Sequence, residues 1–231
     1  MNGKIMQTHS QFLTTPVRPA SKGAGLQPAR VTWSLCLAAI IIGCVPCLGA
    51  ALQLDRAATG GQWWRAYTAH LAHWNTDHLF WDVLMFAVLG TLCERHGRRQ
   101  FVVCLVAAAT AISAAVWWLE PAMSRYRGLS GIDSALFTMT AVAMLKQAWP
   151  GRDYPILAAG SAAIVAFAVK VIYEVATGDT LFVDSAAAGF VPLPSSHLVG
   201  GCVGTATALF TASARESAAL RPPSADRRCS E

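Results

Sequence analysis

Three residues have the types and positions that acyl-transfer chemistry needs: Ser130, His197 and His78. Ser130 lies in Gly128-Leu129-Ser130-Gly131, at the predicted start of an apolar helix. The N–H groups of a helix's first turn lack intrahelical partners and sit at the positive end of its dipole, so a developing oxyanion is favoured there. Gly128 and Gly131 permit a tight turn and let a substrate backbone approach the hydroxyl. His197 heads another apolar helix and is followed by Gly200-x-x-x-Gly204, a small-residue face that allows two helices to pack closely. Close packing of those helices would set the imidazole against the hydroxyl. A serine with an adjacent histidine base is the smallest kit for nucleophilic acyl transfer.

The elements that must position these residues are membrane helices. Of 231 residues, 54% are hydrophobic and 13% charged, about half the charged fraction of a soluble domain. The charges sit in short clusters between long uncharged stretches, the pattern of a polytopic membrane protein. Apolar segments run over 31–52, 79–93, 101–119, 132–145, 156–177 and 198–214, giving six candidate spans. The first begins too late and is too long for a secretory signal peptide. Residues 1–30 read as a disordered basic cytoplasmic arm and 215–231 as a polar cytoplasmic tail around the 31–214 helical domain.

Basic residues set the orientation. With a cytoplasmic N-terminus and six spans, thirteen Lys and Arg fall on the inside segments and four on the outside, namely Arg56, Arg65, Arg125 and Arg127. That bias puts both termini in the cytoplasm. The second and fourth stretches, 79–93 and 132–145, are 15 and 14 residues long, below the usual minimum of about 17. Such helices are expected to start below the surface in a protein-lined cavity. The even-numbered helices all run from outside to inside, so His78, Ser130 and His197 come to one side.

The sequence here resembles the rhomboid intramembrane serine proteases. The matching residues are Trp64-Arg65, His73-x4-His78-x3-Asp82, Glu94-Arg95, Gly128-Leu129-Ser130-Gly131 and His197-x2-Gly200-x3-Gly204, in the family's order. The six-helix form, Tyr173-Glu174 and Phe190-Val191-Pro192-Leu193-Pro194 look like the rhombosortase branch, which is associated with processing C-terminal Gly-Gly sorting tails of exported bacterial proteins. The resemblance implies that Ser130 is the nucleophile and His197 the base, in a dyad without an acidic third member. His78 and the Ser130 N–H would support the oxyanion.

Two positions depart from the family's pattern. Asp82 stands where Asn is usual, and an ionised Asp cannot donate to an oxyanion, so it must be protonated or must instead orient His78; the orienting role is the expectation. Ser134 stands where an aromatic often packs on the base, so another residue must fix the His197 ring. Asp133 is a further intramembrane acid that could meet a basic group or line a water path.

Other polar features have simpler readings. His70, His73 and His78 have a spacing that could suggest a metal, but Trp63, Trp64, Tyr67 and Trp74 make the segment an interfacial loop, and no metal is expected. Lys170 and Glu174, at i and i+4, read as a mutually neutralising pair, with a substrate-gating role as the alternative. The seven cysteines suggest no disulfide framework; Cys44-Val-Pro-Cys47 has redox spacing but sits in an apolar span, which favours packing.

The expected protein is therefore an all-α, six-helix, rhomboid-like bundle in the bacterial inner membrane. It is expected to cleave membrane-anchored proteins near the outer face, with no cofactor and no nucleic acid partner. The rival is an inactive rhomboid-like protein that binds transmembrane helices without cutting them.

Overall fold

A computed structural model describes residues 28–181 and 191–210. Most of the expected basic arm (1–27), the whole C-terminal tail (215–231) and Phe190 lie outside the described residues. The chain runs α1 (Arg30–Cys44), α2 (Pro46–Leu52), β1 (Leu54–Asp55), α3 (Arg65–Thr68), α4 (Thr76–Leu119), β2 (Arg125–Tyr126), α5 (Ser130–Ala148), α6 (Tyr154–Thr177) and α7 (Pro194–Phe210). Short 3₁₀ turns at Thr59–Gly61 and Ala69–Leu71 flank α3.

α5 is the central helix, packing against α7, α4 and α6. Gly131, Ile132, Ala135, Leu136 and Met139 are all buried along it. α6 is its opposite: Val165, Val169, Ile172 and Val175 stand exposed, as apolar side chains do when they face lipid. α4 and α6 are each long and apolar enough to cross a bilayer. α4 is two limbs in one continuous run, bent at Gly97, where φ is −170° and ψ 96°. Helical segments thus occupy all six stretches predicted from hydropathy.

Three boundaries differ from the sequence expectation, each for a physical reason. The first span is not one helix, because Pro46 has no N–H to donate and α1 gives way to α2 at Val45. The helices at the second and fourth stretches extend beyond 79–93 and 132–145. α4 begins at Thr76, capped by Asn75 Oδ1 accepting the His78 N–H at 2.8 Å. α5 runs for 19 residues through Asp133 and Lys146. Its charged end is tolerated because the Lys146 ammonium donates to the Ala208 carbonyl at 2.9 Å, near the end of α7.

Polar groups tie the two ends of the bundle. Glu94 is buried on α4, and its carboxylate accepts the N–H groups of Val31 (3.1 Å) and Thr32 (2.8 Å) and the Thr32 hydroxyl (2.9 Å). It thereby satisfies the otherwise orphaned first turn of α1. Arg98 holds the same carboxylate at 3.1 Å. At the other end, β1 pairs antiparallel with β2, joining the loop after α2 to the loop before α5. Buried Arg65 donates to the Gln53 carbonyl at 3.0 Å and to Gln62 at 2.6 Å. Arg56, Arg65, Arg125 and Arg127, the four basic residues assigned to one side by their loops, all belong to this end. Trp63, Trp64 and Tyr67 are exposed beside it. The six described cysteines carry no disulfide, and Cys229 lies outside the described residues. Cys44 and Cys47 straddle the α1–α2 break and are exposed rather than packed inside.

Candidate active site

The starts of α4, α5 and α7 open onto one cavity of about 900 Å³, lined by His78, Asp82, Ser130 and His197 among others. Ser130 is the first residue of α5. The turn before it is held from several directions. Gly128 has φ +125°, a conformation that L side chains rarely adopt. A Cβ added there would lie 3.0 Å from the His78 ring. The Gly128 N–H donates to the Ala69 carbonyl at 3.1 Å, and its carbonyl lies 3.3 Å from His70 Nδ1. Burial pushes the His70 imidazole down to about 4, against the carbonyls of Ala109 and Gly128, which act to raise it.

α7 reaches α5 because both helices present glycine. A Cβ at Gly200 would collide with the Gly131 carbonyl oxygen, and one at Gly204 with the Ala135 carbonyl oxygen. Gly131 in turn leaves room for the main chain of α7 at Ser196, whose oxygen would lie 3.0 Å from an added Cβ. The Thr138 hydroxyl crosses this seam and donates to the Gly201 carbonyl at 2.9 Å. At this spacing His197 Nε2 lies 3.1 Å from Ser130 Oγ.

The other face of the His197 ring system is occupied as well. Nδ1 lies 2.6 Å from Glu174 Oε2, and Lys170 Nζ lies 2.7 Å from Glu174 Oε1 and 3.0 Å from Nδ1. The local Lys170–Glu174 pair expected from i,i+4 spacing is present, but the sequence reading missed its reach to His197. The resemblance implied no acidic third member, yet a carboxylate stands at Nδ1. It is also what holds the ring in place of the missing aromatic, since Ser134 Oγ instead donates to the Ser130 carbonyl at 2.9 Å.

Asp82 lies across the cavity. Its Oδ2 accepts the Leu129 N–H at 2.8 Å and lies 3.2 Å from Nε2 of both His73 and His78. His70 turns instead toward Gly128, Ala109 and Ser113, so the three histidines do not converge. Asp133 is buried at the cavity wall. The sequence-selected residues Ser130, His197, His78, Asp82, Gly128 and Gly131 are thus brought together, and Gly200 and Gly204 lie in the seam that closes the assembly.

A helical bundle with apolar side chains exposed on its outside, and a cavity where a hydroxyl meets an imidazole at helix N-termini, defines an integral membrane protein with hydrolase-like geometry. The Rhomboid domain family model matches residues 60–214, and the chain belongs to the rhomboid family. That family consists in general of intramembrane serine proteases acting on membrane proteins. No curated protein matches the chain.

Proposed function

We propose that this chain is an active intramembrane serine endopeptidase in which Ser130 is the nucleophile and His197 the base. The observation that carries the reading is the 3.1 Å approach of His197 Nε2 to Ser130 Oγ at two adjoining helix N-termini. In the reaction, Nε2 takes the hydroxyl proton as Oγ attacks the scissile carbonyl carbon. The oxyanion forms at the start of α5, where the Ser130 N–H and His78 stabilise it. Collapse expels the amine, which receives the proton from His197, and water from the cavity then hydrolyses the acyl-enzyme. Asp82 accepts and does not donate in this scheme: it orients His78 and holds the Leu129 turn.

The cavity shares its end of the bundle with Arg56, Arg65, Arg125 and Arg127, so the positive-inside bias supports cleavage near the outer face of the inner membrane, with both termini cytoplasmic. Substrates are membrane-anchored proteins. C-terminal Gly-Gly sorting tails are the finer proposal, supported by the rhombosortase-like residues.

The test is fluorophosphonate labelling of the purified protein beside Ser130→Ala and His197→Ala. Wild type is expected to label and both variants to fail. Equal labelling of Ser130→Ala would sink the nucleophile assignment. Cleavage of a Gly-Gly-tailed membrane anchor, lost in Ser130→Ala, tests the substrate class.

A further inference from the structure

His197 has a second partner that a serine–histidine pair does not require. Glu174 is 1% exposed, in the last turns of α6, and its carboxylate bridges two groups. One oxygen lies 2.6 Å from His197 Nδ1 and the other 2.7 Å from Lys170 Nζ. We propose that Glu174 is a positioning residue that completes a Ser130–His197–Glu174 relay, with Lys170 balancing its charge. This rests on the Ser130–His197 reading above.

A neutral imidazole carries one N–H, and which nitrogen bears it is set by the partner of that nitrogen. A carboxylate at Nδ1 accepts a hydrogen from it and offers none, so the hydrogen sits on Nδ1. Nε2 is left with its lone pair toward Ser130 Oγ, the tautomer a base requires. The Lys170 ammonium has no lone pair, so its 3.0 Å approach to a protonated Nδ1 is a contact imposed by the carboxylate they share.

Charge gives a second argument. When His197 accepts the serine proton it becomes an imidazolium, and Lys170 would then place a second cation beside it. Glu174 between them turns that repulsion into attraction. Conversely, a lone carboxylate buried at membrane depth is costly, and Lys170 one helical turn away offsets the cost. Neither α6 residue suits the interior without the other, and together they suit a histidine that cycles between neutral and charged. Among the described residues, the other titratable or charged groups lining the cavity are Asp133 on α5, His78, Asp82 and Glu120 on α4 or just beyond its end, and Arg125, Tyr126 and Arg127 in the loop before α5.

The experiment measures the second-order rate of fluorophosphonate labelling of the full-length protein from about pH 5 to 8. Glu174→Gln is expected to slow labelling at least about ten-fold. Its acid limb should move to lower pH, because the anion that favours the imidazolium is gone. Lys170→Met should slow labelling by a smaller factor, Lys170→Arg should stay close to wild type, and Glu174→Gln with Lys170→Met should be no slower than Glu174→Gln alone. Wild-type rate and pH profile in Glu174→Gln, with Ser130→Ala and His197→Ala unlabelled, would overturn the relay and leave the serine–histidine reading standing. Labelling of Ser130→Ala at the wild-type rate would remove both. A second measurement does not depend on Glu174→Gln folding: ¹⁵N-histidine spectra of the wild type should contain a downfield, slowly exchanging Nδ1–H that His197→Gln lacks, and its absence from the wild type would also overturn the relay.

Discussion

The carboxylate of Asp82 accepts the Leu129 N–H at 2.8 Å, tying α4 to the residue immediately before Ser130. The same oxygen contacts His73 and His78, so a single acid links the two imidazoles to the turn that precedes Ser130. This explains how an acid can occupy a position where the family usually has an amide: its acceptor capacity is used within the protein.

Asp82→Asn tests that account. The amide oxygen can still accept from Leu129, but the charge beside two imidazoles is lost, and bonds to an ionised acceptor are roughly twice as strong as neutral ones. Labelling is expected to slow by about ten-fold, equivalent to roughly 1.4 kcal/mol, with a displaced pH profile. Asp82→Ala should be worse, because it leaves the Leu129 N–H buried and unpaired at a cost of about 1–3 kcal/mol. Unchanged rate and profile in Asp82→Asn would remove any specific role for the carboxylate.

Gly204→Ala should loosen the α5–α7 seam. Its added methyl would fall on the Ala135 carbonyl oxygen, which belongs to helix backbone and cannot swing aside. Overpacking of this kind costs about 1–3 kcal/mol. A lower unfolding midpoint and slower labelling are expected together, because the seam that holds the helices also sets the distance from His197 to Ser130. An unaltered midpoint would mean that the helices can separate without loss.

Helix direction made much of the site readable before any coordinates. Every second helix starts at the same end, which is enough to group His78, Ser130 and His197. The same parity applies in reverse to the odd-numbered spans, whose C-terminal turns finish at that end, and in the fifth, 156–177, it would have brought Glu174 beside His197. It was overlooked because Lys170 offered a complete local explanation four residues away, whereas the contact with His197 spans 23 positions. Helix ends were misjudged for a related reason. Hydropathy ends the fourth stretch before Lys146, but in the fold that charge meets the Ala208 carbonyl near the end of α7 and α5 runs on to Ala148. Pro46 carried the signal for the α1–α2 break, but reading 31–52 as one apolar stretch passed over it.

Glu94→Ala is expected to separate stability from chemistry. The carboxylate serves the first turn of α1 and Arg98, at the end of the bundle away from the cavity. Losing it strands buried donors at about 1–3 kcal/mol. The unfolding midpoint in detergent should drop while the labelling rate of the folded fraction stays at the wild-type value. A slowed rate in protein that is demonstrably folded would mean that α1 docking is coupled to the site.

Gly128→Ala addresses the turn itself. The residue sits at φ +125°, where a side chain brings strain of about 1–3 kcal/mol. The methyl would also lie 3.0 Å from the His78 ring, so the turn and the imidazole cannot both keep their places. Relaxing φ would shift the Leu129 N–H away from Asp82 and rotate the start of α5, moving Ser130 Oγ relative to Nε2. Displacing His78 instead would preserve the serine and weaken the oxyanion side. The two responses are distinguishable: the first slows fluorophosphonate labelling and peptide cleavage alike and disturbs the His197 N–H resonance, while the second leaves that resonance intact. Labelling and cleavage at wild-type rates would show that neither the left-handed turn nor the His78 contact matters for the reaction.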